Sequence, residues 1–339
     1  MKNVIKIVMV IIGTLIGAGF ASGREIYLFF LKFGKLGLVG IIISSILTGI
    51  IIYKTLKIIK EKNIKNYNDL LENINTNIKY KEINFFIKNI VTIFLLVSFY
   101  IMVAGFSAYI KQIYKVPIFI SSIIFVFMCY LIFRKSLKGM MKINEILIPF
   151  LMFFILYLGI KNVPYLLENK IIFGINIVEK GWFINSILYA SYNSIILIPV
   201  LVTMNKYLNN NKQIKNIAII SLIIIMILSF SIFALLLKGQ FFIKELELPL
   251  LQITTEFGKI FSYIYGFVII ASIITSAIST GYSFLENVSK NKKKYNRNLI
   301  LICVSSVLIS NIGFSNLVEI LYPLFGILGI IQIIFICKK

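Results

Sequence analysis

The stretch Gly13-Thr14-Leu15-Ile16-Gly17-Ala18-Gly19-Phe20-Ala21-Ser22-Gly23-Arg24-Glu25 lies inside an apolar run that extends from about Val4 to Phe33. A run of that length can cross a hydrocarbon layer about 30 Å thick at 1.5 Å per helical residue. Its glycines weaken the helix from within, and Arg24 and Glu25 follow them directly. Close helix packing would explain Gly13 with Gly17, and Gly19 with Gly23, at four-residue spacing. A break in the helix explains the glycines and the charges together. It would free carbonyls to hold a cation and amides to face a carboxylate, provided it is buried in protein or lines a cavity. The run starts like a signal peptide but lacks a convincing cleavage site, so it is expected to be retained as the first span.

Outward from this stretch the chain keeps the same character. Of its 339 residues 59% are hydrophobic and the mean hydropathy is +0.94, against roughly 45–50% apolar residues in soluble domains. The apolar runs are continuous, whereas barrel strands would alternate over about ten residues, so the fold is read as all-α and integral to the membrane. Further spans are expected at Leu38–Ile59, Phe85–Ile110, Val116–Phe133, Ile143–Tyr157 (continuing to about Leu166), Trp182–Met204, Ile214–Leu237, Ile260–Phe284, Leu299–Ser310 and Leu317–Ile336. That makes about ten transmembrane helices, five in each half. Lys62–Glu82 reads as an interfacial amphipathic helix or a loop, and Phe241–Phe257, interrupted by Pro249, as a short external helix or lid.

The net charge of +22, from 35 Lys and Arg against 13 Asp and Glu, is spread between the apolar runs. That pattern fits loops beside an anionic leaflet and argues against nucleic-acid binding. The basic loops holding Lys54 to Lys88, Arg134 to Lys142, Lys206 to Lys215 and Lys290 to Arg297, with Lys338 and Lys339, alternate with loops holding Glu168, Glu179, Glu245, Glu247 and Glu256. Both termini are therefore expected in the cytoplasm, in a multi-pass protein of the cytoplasmic membrane. Cys129, Cys303 and Cys337 fall in apolar runs without CxxC spacing, and there is no histidine, so neither a transition-metal site nor a disulfide scaffold is expected. No catalytic triad or metal cluster suggests an enzyme.

The sixth span carries a polar interruption, Tyr189-Ala190-Ser191-Tyr192-Asn193-Ser194, with Pro199 following. It matches the first span in position, and paired interruptions in two halves point to a transporter of inverted repeats with its site at their interface. The alternative is that Ser191 and Ser194 bond to their own backbone while Asn193 joins a helix interface. In the eighth span Ser272, Ser276, Ser279 and Ser283 share a face with Thr275 beside them. Their hydroxyls suit a sodium ion or ordinary interhelical hydrogen bonds.

The run GTLIGAGFASGREIYLFFLKFGKLG, residues 13–37, resembles the amino-terminal signature of bacterial YkvI-like membrane proteins. These are distant relatives of the amino acid, polyamine and organocation transporter superfamily. The resemblance extends over the length and helix layout of the chain. It implies a five-plus-five inverted repeat of the leucine-transporter type, with repeats at residues 1–166 and 181–337 and breaks near 17–23 and 189–194. It places Gly17, Gly19, Ser22, Gly23, Tyr189, Ser191, Tyr192, Asn193 and Ser194 around substrate, with Tyr100, Phe106 and Tyr265 nearby. It also implies a bound sodium ion held by Ala18, Gly19, Ser22, Thr275, Ser276 and Ser279. Arg24, Glu25 and Glu319 are expected to gate the site, or in the case of Arg24 and Glu25 to cap and orient the outer half-helix, and Glu25 or Glu319 is the group available to relay a proton. The function expected is a secondary transporter of a small polar or amphipathic solute such as an amino acid, coupled to sodium or protons. The alternatives are a transporter-fold ligand sensor akin to a germinant-receptor subunit, and a structural membrane subunit. The expected partners are a small-molecule substrate and membrane lipid.

Overall fold

A chain of this hydropathy can satisfy its backbone only within its own helices, and a computed structural model of the protein bears this out. It describes residues 2–65, 67–74, 81–134, 141–168, 180–239, 243–289 and 291–338, and these contain helices and no strand. The first expected span is three helices, α1 (Lys2–Leu15), α2 (Ala18–Ser22) and α3 (Arg24–Phe29). The others are α4 (Lys35–Glu61), α6 (Lys81–Tyr114), α7 (Ile118–Phe133), α8 (Met141–Glu168), α9 (Trp182–Val202), α10 (Asn211–Lys238), α12 (Lys259–Val288), α13 (Lys292–Ser310) and α14 (Phe314–Cys337). Among the described residues, six of these helices are long and apolar enough to cross a membrane alone: α6 (from Asn84), α4, α9, α10, α12 and α14.

Two short helices fill the segments between spans. α5 (Tyr67–Ile74) buries Leu70 and Leu71 and leaves Glu72 exposed, as an amphipathic helix should. α11 (Pro249–Thr255) takes Pro249 as its first residue, where a missing N–H costs nothing, so the proline starts this helix and does not interrupt one. It packs on α2, α10 and α12. The loops at the opposite end supply caps: Asn210 and Asn291 accept hydrogen bonds from the Gln213 and Lys294 amides at the starts of α10 and α13.

The apolar residues divide by face. Phe119, Ile123, Phe127 and Leu131 recur at helical spacing on α7 and remain exposed, the side of a helix that meets lipid. Within the bundle α1 is enclosed by α8, α9 and α10, while α3 lies among α9, α10 and α14. α14 packs directly on α9. Cβ atoms at Gly326 and Gly329 would strike the carbonyl oxygens of Leu188 and Ser191, which are backbone atoms unable to rotate aside. Replacing Gly329 with alanine should therefore lower stability by about 1–3 kcal/mol in thermal unfolding of the detergent-solubilised protein. Gly17→Ala, which meets open space, should cost less.

Candidate functional site

Helical hydrogen bonding fails twice in the first span. After Leu15 the chain leaves the helix and passes through Gly17 in extended geometry, and at Gly23 it turns through a left-handed residue with φ 85°. A side chain at Gly23 would be strained by that φ and would also meet Leu236 and Leu250. The five residues between, Ala18–Ser22, form one buried helical turn where an unwound segment was expected.

The groups freed by the two breaks are taken up by α12. Tyr265 donates its hydroxyl to the Ala21 carbonyl at 2.6 Å, and Ser272, two turns on, reaches the Ile16 carbonyl at 3.5 Å. Ser22 donates to the Gly19 carbonyl at 3.0 Å and accepts the Arg24 amide at 3.3 Å. Hydroxyls of α12 thus reach carbonyls at both breaks, beside the junction where a sodium ion was expected. Thr275 bonds the Ala271 and Ser272 carbonyls of its own helix, Ser276 is half-buried, and Ser279 is exposed.

Arg24 and Glu25 diverge. The Arg24 guanidinium, buried and only 3% exposed, donates to the Ser315 hydroxyl at 2.8 Å and to the Ile243 carbonyl at 3.0 Å, and pairs with Glu319 at 3.6 Å. Glu247 completes the knot by accepting from the Ser315 amide at 2.6 Å and its hydroxyl at 2.8 Å. α3, the segment leading to α11 and the start of α14 are thereby tied at one end of the bundle. Ser315, Glu247 and the Ile243 carbonyl are missed by the sequence reading. The only signal for them is that Ser315 lies one turn before Glu319 on the same span.

Glu25 turns inward. It is 1% exposed, and its Oε1 occupies the space a Cβ on Gly19 would need. Its nearest polar neighbours are Tyr192, the Phe20 backbone and Tyr189. Oε2 has no partner within hydrogen-bonding geometry. Around it the rings interlock: Tyr192 stacks on Tyr322 at 4.5 Å and runs parallel to Phe29 at 6.0 Å, while Tyr189 meets Phe29 edge-on at 5.2 Å and Phe30 at 4.9 Å.

Tyr189 and Tyr192 are thus brought to the first span, but the expected break around them is absent. α9 is helical without interruption through residues 189–194 and past Pro199. Its polar residues turn to their own helix: Asn193 donates to the Tyr189 carbonyl at 3.0 Å and Ser194 to the Ser191 carbonyl at 2.7 Å. The Ser191 carbonyl faces Gly329, on the α14 side, and its hydroxyl has no partner. Between α1, α2, α4, α9 and α10 lies a cavity of about 10 Å³, lined by Ile16, Phe20, Thr48, Tyr189 and Asn193 among others, with room for one water. Of the other aromatic residues considered, Tyr265 is at the break, whereas Tyr100 bonds Ser305 of α13 at 2.7 Å and Phe106 stacks on Phe125 of α7 at 4.3 Å.

A first span broken around a short helix and fastened to the eighth places the protein in a known architectural class, the leucine-transporter type of five-plus-five inverted repeat, and solved structures agree. MhsT, in complex with L-phenylalanine, superposes with a TM-score of 0.63 at 16% identity, over 97% of this chain and 87% of that one. A manganese transporter of Eremococcus coleocola gives 0.61 at 14%, over 96% and 76%. In sequence the chain is similar to the uncharacterized membrane protein YkvI of Bacillus subtilis, 26% identical over 348 residues that cover 98% of this chain and 95% of the relative. It is also similar to the uncharacterized protein YyaD of the same organism, 27% identical over 330 residues, 96% and 93% of the two chains. No protein-family model matches. The chain is a multi-pass membrane protein.

The knot makes unequal demands on its members. Arg24→Ala would remove the cation from a buried, fully engaged position and should cost about 3–5 kcal/mol in thermal unfolding. Glu319→Ala, whose side chain is 43% exposed, should cost no more than about 1 kcal/mol.

Proposed function

We propose that the protein is a secondary transporter of a small polar or amphipathic organic solute, with amino acids the first class to test, driven by a cation gradient through alternating access. The observation that carries this reading is the broken first span. Its fragments α2 and α3 are held by polar contacts that can be exchanged, to α12 at the break and to α14 and the Ile243 carbonyl at the Arg24 knot. A continuous lipid-facing helix would have no use for a buried guanidinium. Opening at the Arg24 end requires that guanidinium to leave Ser315, Ile243 and Glu319, and each partner can be replaced by water.

The chemistry around α2 is organic in kind: aromatic rings, phenol hydroxyls, one carboxyl and backbone groups at helix ends, which together suit an amphipathic solute. The likeness of fold to MhsT, which binds L-phenylalanine, supports the same choice. With both termini in the cytoplasm, the knot closes the outer side and the lysine-rich loops lie within.

Purified protein reconstituted in liposomes and screened with labelled amino acids under imposed sodium and proton gradients should accumulate at least one of them. Binding without accumulation or exchange would make the protein a sensor on a transporter scaffold. For orientation, cysteines engineered at Lys60, Arg134 and Lys292 should resist an impermeant reagent in right-side-out vesicles. Strong external labelling of all of them would reverse the topology.

A further inference from the structure

Among the described residues, the buried members of the Lys, Arg, Asp and Glu set are Arg24 and Glu25, and only Arg24 sits among counter-charges. Glu25 is folded back over α2, its Oε1 seated in the space left by the missing side chain of Gly19, its Oε2 without a partner. The ionisable groups that face it are Tyr189 and Tyr192 from α9 and Tyr322 from α14. α2 carries no ionisable side chain. α10 presents Leu236 beside Gly23, and Lys32, in the turn after α3, lies over the Phe33 ring. No lysine or arginine of the described residues comes within ion-pairing distance of the carboxyl.

An ionised carboxylate so placed, out of water and without a cation, is strongly disfavoured and will take up whatever cation fits. A metal ion would need room for itself among several oxygen donors, and the carboxyl is packed into the gap at Gly19. An organic ammonium would need volume, yet Oε1 is packed against Gly19 and the Tyr192, Tyr322 and Phe29 rings are stacked on one another. The small cavity nearby is lined by Phe20 and Tyr189 and does not include Glu25. A proton is the cation that fits.

We propose that Glu25 is a proton-binding site, loaded while α3 is closed onto Tyr189, Tyr192 and Tyr322 and emptied to water when α3 lifts away. The inference deepens the transport reading and rests on it for the coupling to a solute, whereas the protonated carboxyl belongs to the closed protein with or without transport. Proton binding and closure then favour each other reciprocally, because one equilibrium serves both. Acid favours the closed form and alkali the open one. A glutamine at this position keeps the size and the hydrogen-bonding shape of the protonated acid and should hold α3 closed at every pH.

The full chain in lipid can be tested by infrared spectroscopy. At neutral pH the wild type should show the carbonyl stretch of a protonated carboxylic acid, Glu25→Gln should lack it, and Tyr192→Phe should shift it by removing a facing hydroxyl. A second readout is alkylation of a cysteine placed at Tyr27, with Cys129, Cys303 and Cys337 changed to serine. Labelling should rise several-fold from acid to alkaline pH in that background and stay low and flat when Glu25→Gln is added. Absence of the acid band from wild type at neutral pH, or its persistence in Glu25→Gln, overturns the proton site. Should Glu25→Gln fail to fold, an unshifted band in Tyr192→Phe overturns it instead. Labelling that follows pH equally with and without Glu25→Gln overturns the link to closure. An intact band in a protein that moves no solute rejects the transport reading alone.

Discussion

A hydrocarbon layer offers no water to a backbone that leaves its helix, and the arrangement around the first span follows from that single restriction. Two interruptions, at Ile16–Gly17 and at Gly23, release carbonyls and amides that only protein can satisfy. Tyr265 and Ser272 do so from one face of α12, and Ser22 does so from within. The positions of α12 and α2 are therefore coupled. Displacing α2 leaves the Ala21 carbonyl unpaired in a dry interior, a penalty of about 1–3 kcal/mol unless another donor arrives. Hydroxyls are well suited to such a joint, since a hydroxyl can hold a carbonyl without bringing a charge of its own.

The same restriction treats the two adjacent charges in opposite ways. Arg24 can be buried because its planar fork reaches a hydroxyl, a carbonyl and a carboxylate together, and because Glu247 adds negative charge behind Ser315. Glu25 emerges about 100° further around the same helical turn, which carries it from the knot into the ring cluster. Its burial depends on a neighbour that lacks a side chain, Gly19, and on phenols that can face either protonation form. The dipeptide is thus a junction between an electrostatic clasp at the end of the bundle and an aromatic core beneath it.

The sequence carries the spans well because their signal is local: each apolar run is long enough to declare itself, and every expected span has a helix in the structure. The density of glycine before Arg24 likewise marks where the first helix fails. The sixth span misleads because polarity of composition is not polarity of contact. Asn193 and Ser194 spend their hydrogen bonds on carbonyls one turn back, a choice set by rotamers that no spacing reveals. In the eighth span the hydroxyl stripe is legible, but Thr275 returns to its own helix while Ser272, one turn earlier, meets the first span. Least legible is the pairing within the knot: Arg24 stands out as a charge in an apolar span, but Ser315, 291 positions away, is an ordinary serine with nothing local to mark it as the partner.

The difference between the first and sixth spans bears on which part of the protein can move. α9 is continuous, and through Gly326 and Gly329 on α14 it has backbone-to-backbone contact that admits no sliding of side chains between the two. α3, by contrast, is six residues long, with a glycine turn before it and an irregular residue, Phe30, after it. A rigid pair cannot be bent at little cost, while a short helix between two turns can rotate by changing a few backbone angles. Any opening at the knot therefore falls to α3, with Tyr189 and Tyr192 staying on α9 as a fixed wall. Because Glu25 rides on the element that moves and the phenols ride on the element that does not, a change in the position of α3 is necessarily a change in the surroundings of that carboxyl.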